Sequence, residues 1–230
     1  MPYTMSLFVI LAFLWYGFVV YRKGIEYRFH EESVMDLIVL SAVTSWLLGR
    51  AGFIIANWSV FSVNWLRIGL INSYPGYDLV GIVLGLMLSV LLIASREEIV
   101  FFKGIDLLFL GFVSAVPFER LGRVLVGDVR LWMGLPVELF QSLAFLLVFV
   151  VMWRMEGEYR TYEWYRNRQT EAKNGFIAGI GLVFLGGLMI LSSWWGSLSL
   201  YQLIFGGVST FIGSIWLYFR SGRGLHSIGV

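Results

Sequence analysis

The sequence predicts an all-α, polytopic membrane protein with seven transmembrane helices, an N-terminus outside the membrane and a cytoplasmic C-terminus. Three observations lead to this class. Hydrophobic residues make up 58% of the chain and charged residues 14%, where soluble domains carry about 25% charged residues. The apolar residues form runs of membrane-crossing length, and the basic residues concentrate in alternate connections between these runs. Residues 1–230 are predicted to form one transmembrane domain.

The same composition excludes several classes of protein. The 230 residues contain no Cys, which excludes a disulfide-rich secreted domain. The mean hydropathy of +0.78 excludes a disordered chain. A net charge of +2, scattered along the sequence, is too small for a nucleic-acid-binding surface.

Apolar runs separated by polar residues predict the helices. They lie at 5–21, 35–57, 77–95, 104–124, 136–153, 175–194 and 199–219. Barrel strands are excluded because they would alternate over only about ten residues. The first run has no basic residue before it and no small-residue cleavage site after it, and Arg22 and Lys23 close it. It is therefore predicted to be a retained helix rather than a signal peptide.

The distribution of Lys and Arg predicts the orientation. Only Arg67 and Arg130 fall in one set of connections. The other set is predicted to be cytoplasmic and holds Arg22, Lys23, Arg28, Arg96, Lys103, Arg154, Arg160, Arg166, Arg168, Lys173, Arg220 and Arg223.

Two connections have distinctive compositions. Between helices 2 and 3, residues 58–76 interleave Trp58, Phe61 and Trp65 with polar residues, which predicts an amphipathic helix lying at the outer membrane interface. The cytoplasmic stretch Arg154–Lys173 mixes basic, acidic and aromatic residues, which favours a solvated hairpin tip or surface helix.

Charged side chains within membrane helices are costly and therefore indicate function. Only Asp36 and Asp106 are predicted near inner helix ends, and at such ends water and lipid headgroups can reach a side chain. Seven charged residues from four helices are predicted in the outer half of the membrane. They are Arg50, Asp78, Glu119, Arg120, Arg123, Asp128 and Glu138. This gathering predicts a hydrated cavity, and its guanidinium groups suit a phosphate because they can donate two parallel hydrogen bonds.

A structural explanation competes at some of these positions. Glu119 and Arg123 are four residues apart on one helical face and could simply pair with each other. Gly81 and Gly85 are explained by close helix approach. Gly49 and Gly122 each lie near a helical Arg and could also open space for a bulky ligand.

Four sequence elements follow in order along the chain. The first is Gly49-Arg50-Ala51-Gly52-Phe53 with Asn57, and the second is Gly76-Tyr77-Asp78-Leu79-Val80-Gly81. The third runs from Glu119 to Asp128, and the fourth runs from Leu135 to Gln141. In their order and spacing these elements resemble those of the phosphatidylglycerol–prolipoprotein diacylglyceryl transferase family. The third resembles the family signature Gly-Arg-x-Gly-Asn-Phe-x-Asn-Gly-Glu, with its Arg at Arg120 and its acid at Asp128.

The resemblance implies transfer of a diacylglyceryl group from phosphatidylglycerol to the lipobox cysteine of a prolipoprotein, in the bacterial inner membrane. It implies no cofactor and no metal, and two partners, the lipid and the signal peptide of the preprotein. It assigns catalysis to Arg120, Asp128 and Asp78. Substrate binding is assigned to Arg50, Asn57, Arg123, Gly122 and Glu138. The nucleophilic thiol belongs to the preprotein, which is compatible with a chain without Cys.

Departures from the family pattern motivate a second hypothesis. The second element, Gly76 to Gly81, lacks the His that the family has there. Arg123 replaces an Asn of the family signature, and Gly187–Trp195 contains no charged residue where the family has several. The alternative function is therefore that of a non-catalytic paralogue, which binds an anionic phospholipid or a membrane partner on the same scaffold.

Overall fold

The computed structural model describes residues 2–69, 74, 76–95, 99–159, 174–194 and 200–220. Within them the chain is almost entirely helical. The helices are α1 (Pro2–Glu26), α2 (Glu31–Ala56), α3 (Trp58–Phe61), α4 (Leu79–Ala94), α5 (Phe101–Val126), α6 (Val137–Tyr159), α7 (Phe176–Trp194) and α8 (Leu200–Arg220). A 3₁₀ turn at Trp65–Ile68 and a small hairpin, β1 (Leu131–Trp132) with β2 (Leu135–Pro136), complete the described elements.

Each of the seven predicted helices coincides with an observed helix, although several ends differ from the prediction. Helix α1 continues to Glu26, α2 begins at Glu31, and α6 continues to Tyr159. These extensions carry charged residues, which end a hydropathy signal but do not interrupt backbone hydrogen bonding. In the extensions of α1 and α6, Lys23 and Glu156 are buried and lie 2.7 Å apart, so each neutralises the charge of the other.

Five described helical segments are long and apolar enough to cross a membrane. They are Thr4–Glu26, Glu31–Ala56, Phe101–Val126, Val137–Gly157 and Leu203–Arg220. Two shorter apolar helices occur at Leu79–Ala94 and Phe176–Leu191. These lengths and compositions are compatible with a multi-pass membrane protein.

The exposure pattern of α2 is the reverse of that in a soluble helix. Its buried positions include Ser33, Ser41, Thr44, Ser45 and Arg50. Its exposed positions include Met35, Val39, Val43, Trp46, Leu47 and Ile55. Water would favour the opposite arrangement, whereas hydrocarbon favours apolar side chains outward and polar ones toward other helices.

The chain divides into two compact units. One unit is Gly24–Ile105, and the other combines Met1–Lys23 with Asp106–Val230. The prediction of one transmembrane domain over residues 1–230 stays a prediction.

In the unit Gly24–Ile105, α2 packs against α4 along a line of small residues. A Cβ on Gly81 would collide with the backbone of Leu48, and one on Gly85 with the backbone of Ser45. Thr44 Oγ1 donates a hydrogen bond to the carbonyl oxygen of Gly85 (2.8 Å). The prediction that Gly81 and Gly85 permit close helix approach is confirmed.

In the second unit, α5 is the central helix. Contacts around its circumference leave no exposed area on Leu107, Leu108, Phe109, Leu110 and Val113. Gly111 of α5 faces Tyr16 of α1, while Gly181 of α7 faces Phe109. A helix that is apolar all round is stable only when other elements enclose it, and here α1 and α7 do so from different sides.

The connection after α2 differs from its prediction. The amphipathic helix expected over residues 58–76 is wrong for the described part, which consists of the short helix α3 and the 3₁₀ turn. Asn64 separates the two with an extended backbone, and its side chain accepts a hydrogen bond from the backbone N–H of Leu66. Asparagine favours such local side-chain-to-backbone bonds over a continuing helix.

The expectation that water reaches Asp106 is also wrong. Asp106 is 1% exposed, and its carboxylate accepts hydrogen bonds from the backbone N–H groups of Gly175 (2.7 Å) and Ala178 (2.8 Å). It therefore caps the N-terminus of α7 from α5, where a carboxylate satisfies otherwise unpaired donors. Asp36, by contrast, is exposed as predicted.

The predicted surface stretch Arg154–Lys173 lies mostly outside the described residues. Of this stretch the structure describes only residues 154–159, which are the last residues of α6.

Candidate functional site

The C-terminal end of α5 carries a network of charged side chains. Arg123 Nε donates to Glu119 Oε1 at 2.5 Å, one helical turn away. This confirms the pairing predicted from their spacing. Arg120 Nε lies 3.3 Å from the other oxygen of the same carboxylate. Glu119 thus holds two guanidinium groups near one end of the helix.

Arg120, unlike Arg123, makes no hydrogen bond to any described residue. Its side chain is 20% exposed, and its buried Nε makes no hydrogen bond despite lying near Glu119. A guanidinium carries five N–H donors. Among the described residues none accepts a hydrogen bond from Arg120, so its donors are available to an anionic ligand. Electrostatic interactions also reach it from Arg123, Arg130 and Glu138.

The α5 terminus has a defined C-cap that fixes the position of Asp128. The backbone N–H of Asp128 donates to the Arg123 carbonyl (3.0 Å), and that of Gly127 donates to the Val124 carbonyl (3.2 Å). This is a Schellman arrangement, and it requires the positive φ of 81° seen at Gly127. Asp128 Oδ2 lies 3.5 Å from Arg123 Nη1, and its side chain is 72% exposed. An acid at this place can orient Arg123 and meet a ligand from solution.

Glu138 is buried and tied to Arg130 across the β-hairpin. Arg130 Nε donates to Glu138 Oε1 (2.8 Å), and the Arg130 backbone N–H donates to Oε2 (2.9 Å). The backbone N–H of Val137 in turn donates to the Arg130 carbonyl (2.8 Å). Both oxygens of Glu138 are engaged in closing the connection, so its contacts are those of a structural residue.

Arg50 lies in the other unit and makes a different set of contacts. Nη1 donates to the carbonyl oxygens of Tyr74 (2.7 Å) and Gly76 (3.3 Å), and Nη2 donates to that of Ile68 (3.3 Å). The guanidinium carbon also lies 5.6 Å from the ring centre of Phe53. Arg50 therefore organises the connection between α2 and α4.

No carboxylate compensates the charge of Arg50 within 4.0 Å among the described residues, and its buried Nε makes no hydrogen bond. Backbone carbonyls and the aromatic faces of Phe53 and Phe61 supply partial negative charge instead. Since an unpaired buried cation is costly, an anion could bind favourably at this guanidinium.

Asn57 and Asp78 mark helix ends in the same unit, as predicted. The Asn57 backbone N–H and side-chain Nδ2 both donate to the Phe53 carbonyl, at 3.1 and 2.9 Å. Asp78 is the N-cap of α4, and its Oδ2 accepts from the backbone N–H of Gly81 (3.0 Å). Asp78 is also buried, and its own backbone N–H donates to the Gly49 carbonyl (2.9 Å).

The two glycines expected to make room for a ligand are covered by neighbouring helices. A Cβ on Gly122 would lie 2.7 Å from Phe8 Cβ of α1. A Cβ on Gly49 would lie 2.8 Å from Ile82 Cγ1 of α4. A neighbouring helix therefore occupies the space into which each Cβ would project. Close helix packing, and not room for a ligand, explains why these two residues are glycines.

The predicted site residues thus fall into two groups. Arg120, Gly122, Arg123, Asp128 and Glu138 belong to one unit. Arg50, Asn57 and Asp78 belong to the other. Within the first group the charged residues form the network described above. The predicted meeting of Arg50 with Arg120 in one cavity stays a prediction.

Two basic residues have structural roles that the sequence did not predict. Arg130, counted only for orientation, holds Glu138 across the hairpin. Lys23, assigned to a connection, is buried in α1, with Nζ 2.7 Å from Glu156 Oε2 and 4.3 Å from the Trp153 ring centre. Gly134 between Arg130 and Glu138 was a signal for a hairpin. Lys23 and Glu156 are too distant in sequence for any local pattern to pair them.

The described residues form a helical protein whose long apolar helices are compatible with a multi-pass membrane protein. The buried Nε atoms of two of its helical arginines, Arg50 and Arg120, make no hydrogen bond. A scan against known protein families found no match, and a comparison with curated protein sequences found no significant similarity.

Proposed function

We propose that this protein transfers a diacylglyceryl group from phosphatidylglycerol to the lipobox cysteine of a prolipoprotein. Two observations support the proposal. The four sequence elements containing Arg50, Asp78, Arg120 and Glu138 follow the order seen in the diacylglyceryl transferases that the chain resembles. Arg120 also keeps unused hydrogen-bond donors where the resemblance requires phosphate binding.

The proposed reaction is a displacement at a glyceryl carbon of phosphatidylglycerol. The preprotein thiol loses its proton to a base, and the thiolate forms a carbon–sulfur bond at this carbon. The carbon–oxygen bond to the phosphate breaks, and glycerol 1-phosphate leaves with the electron pair. Negative charge grows on the phosphate oxygens as the bond breaks, so a guanidinium placed there accelerates the step.

The observation that carries the proposal is that the guanidinium of Arg120, although it lies 3.3 Å from Glu119, donates no hydrogen bond to a described residue. Its partial burial strengthens an electrostatic interaction with phosphate compared with a fully hydrated arginine. Glu119 and Arg123 would position it, and Asp128 would orient Arg123 or accept a proton. In the other unit, Arg50 would bind an anionic group, with Asp78 as a second candidate base and Asn57 beside the substrate. Gly122 and Glu138 would contribute through packing and through closure of the hairpin.

The proposal includes a location and a topology. The five long apolar helices and the two shorter ones, α4 and α7, all cross the bacterial inner membrane. The N-terminus lies outside and the C-terminus lies in the cytoplasm. The excess of Lys and Arg in one set of connections supports this orientation. The partners are phosphatidylglycerol and the signal peptide that carries the lipobox cysteine, and no cofactor or metal is required.

The test is an assay of purified full-length protein with phosphatidylglycerol and a lipobox peptide, read by mass spectrometry of the thioether product. We expect Arg120→Ala to lower kcat/KM by about 10²- to 10³-fold, as for loss of one charge-stabilising donor. Arg120→Lys should recover part of this loss because it keeps the charge but not the fork. Arg154→Ala is the matched control, since Arg154 is an exposed arginine near the opposite end of α6 from Glu138. An unchanged rate in folded Arg120→Ala protein would refute the assigned role.

A second candidate function is binding of an anionic phospholipid without turnover. The observation that favours it is the state of the candidate bases: Asp78 caps α4, and Asp128 is well exposed near Arg123. It predicts that the folded protein binds phosphatidylglycerol, loses affinity in Arg120→Ala, and forms no thioether with any lipobox peptide. Detection of the thioether above a no-protein control would exclude it.

A further inference from the structure

The β1–β2 hairpin presents an apolar tip away from the protein interior. Its residues 131–135 read Leu-Trp-Met-Gly-Leu and include no charged side chain. Leu131 is 67% exposed and Met133 is 83% exposed, and the side chains of Trp132 and Leu135 are exposed as well. Folding therefore leaves four large apolar side chains of one short connection in contact with the surroundings.

A methionine occupies a position of the turn where the backbone would favour glycine, asparagine or aspartate. Met133 and Gly134 have φ of +49° and +81°, as the two central residues of a type I′ hairpin turn must. Glycine, asparagine and aspartate adopt this conformation readily, whereas a methionine in it is disfavoured by its Cβ. The backbone therefore gives no reason for a methionine at this position, which makes its side chain a candidate for a role of its own.

The tip is also held firmly at its base. Arg130 is bonded to Glu138 through both its side chain and its backbone, and the Val137 backbone N–H donates to the Arg130 carbonyl. Leu131 pairs with Pro136, and Trp132 pairs with Leu135. The exposed apolar residues are thus displayed by an ordered turn rather than by a loose loop.

The position of the hairpin between α5 and α6 indicates which surroundings its tip contacts. The hairpin joins the end of α5 to the start of α6, and both helices have the length and composition of a membrane crossing. Exposed apolar side chains line both sides of the connection, with Leu121 and Leu125 near the end of α5 and Phe140 and Leu143 near the start of α6. A five-residue tip is much smaller than the roughly 20–30 residues that each partner contributes to a standard protein interface.

We propose that residues 131–135 insert into the interfacial region of the lipid bilayer and anchor the connection between α5 and α6 there. Trp132 suits this region because its ring is apolar and its N–H is polar. The charged residues at the base of the hairpin, Asp128 and Arg130, stay in the headgroup layer or in water. The anchor acts whether or not the protein is a transferase.

The absence of Cys from the chain gives a direct test. Met133→Cys in the full-length protein is labelled with an environment-sensitive fluorophore and reconstituted in phosphatidylcholine–phosphatidylglycerol vesicles. We expect a blue-shifted emission, quenching by lipids that carry a nitroxide high on the acyl chain, and protection from aqueous iodide. Asp128→Cys is the matched control in the same connection, and its label should be quenched by iodide and little affected by the nitroxide lipids.

A second variant separates insertion from folding. Met133→Asn creates an Asn-Gly turn that suits positive φ, so the hairpin should form at least as well. With a label at Leu131→Cys, Met133→Asn should shift the equilibrium between inserted and exposed tips about tenfold toward exposure, since burial of the methionine is lost. Equal iodide quenching at positions 133 and 128 would overturn the proposal. Protection from iodide without quenching by nitroxide lipids would also overturn it, because a protein rather than lipid would then cover the tip.

Discussion

Arg130 and Glu138 are joined twice, once by the guanidinium Nε and once by the Arg130 backbone N–H, so each oxygen of the buried carboxylate has its own donor. Glu138 is 3% exposed as a side chain, whereas Arg130 is 43% exposed. The pair links the two ends of the hairpin that connects α5 to α6. Because Glu138 is buried and Arg130 is half-exposed, the two residues should differ in their effect on stability.

Removal of the base should cost more stability than removal of the acid. Arg130→Ala leaves the buried carboxylate of Glu138 with one backbone donor and no neutralising charge, and we expect a loss of about 3 kcal/mol in the free energy of unfolding. Glu138→Ala leaves a half-exposed guanidinium that water can hydrate and one backbone N–H without its acceptor, so about 1–2 kcal/mol is expected. Denaturant titration in detergent micelles measures both values. Equal losses, or a larger loss in Glu138→Ala, would contradict this account of the pair.

Two aspartates that the sequence treated alike should respond differently to substitution. Asp106→Ala removes the carboxylate that caps α7 through Gly175 and Ala178, and we expect it to destabilise the protein by about 2–3 kcal/mol. Asp36→Ala changes an exposed residue of α2 and should stay within about 0.5 kcal/mol of the parent protein. Thermal unfolding followed by intrinsic tryptophan fluorescence compares the two. The capping role fails if Asp106→Ala unfolds at the same temperature as Asp36→Ala.

Adjacent glycines of α7 form a second matched pair. A Cβ on Gly186 would lie 2.5 Å from the Gly206 carbonyl oxygen and 2.6 Å from the Thr210 backbone nitrogen of α8, whereas a Cβ on Gly187 would meet nothing within 4 Å. Gly186→Ala should therefore destabilise by about 1–3 kcal/mol through forced separation of the helices. Gly187→Ala should stabilise by up to about 1 kcal/mol through helix propensity.

The measurement for this pair is the midpoint of denaturant unfolding of each variant in the same detergent. Because the two substitutions are chemically identical and adjacent, their difference reports the α7–α8 contact alone. Midpoints that shift in the same direction by similar amounts would show that the close approach at Gly186 is not required.

Arg28 offers a prediction in the stabilising direction. It has φ of +60° just after α1, where the backbone N–H groups of Arg28 and Phe29 donate to the carbonyls of Ile25 (2.9 Å) and Gly24 (3.1 Å). This is the position at which helices commonly use glycine. Arg28→Gly should raise the free energy of unfolding by about 1 kcal/mol by relieving strain.

Arg28→Ala is the control, since alanine removes the charged side chain but keeps the Cβ that causes the strain. Thermal unfolding of the two variants under the same conditions decides between backbone and side-chain effects. A gain that is as large in Arg28→Ala as in Arg28→Gly would attribute the effect to the charge and not to φ.

Much of the helical architecture could be predicted because its signals are local. Runs of apolar residues located seven helices, and Asp78 and Asn57 marked helix ends through their capping chemistry. The spacing of Glu119 and Arg123 was enough to predict their ion pair. By contrast, hydropathy placed the end of α1 too early, because it falls at Arg22 and Lys23 while the helix continues to Glu26.

The candidate site was harder to predict because its properties depend on which partners each charge finds. Arg50 and Arg120 looked equivalent in sequence, yet Arg50 binds three backbone carbonyls, whereas Arg120 has no hydrogen-bond acceptor among the described residues. Gly122 was expected to leave room for a ligand, but Phe8 of α1 lies where its Cβ would be.

Composition and local spacing alone determined that this chain is helical, has apolar segments long enough to cross a bilayer, and begins and ends its helices at particular residues. These properties follow from backbone hydrogen bonding and from the transfer of side chains out of water, which act within a few residues of each position. Tertiary structure alone decided that Asp106 caps α7, that Lys23 is buried against Glu156, and that Glu138 closes a hairpin. Such pairings depend on distances between residues far apart or across a turn, and a one-dimensional pattern does not contain those distances.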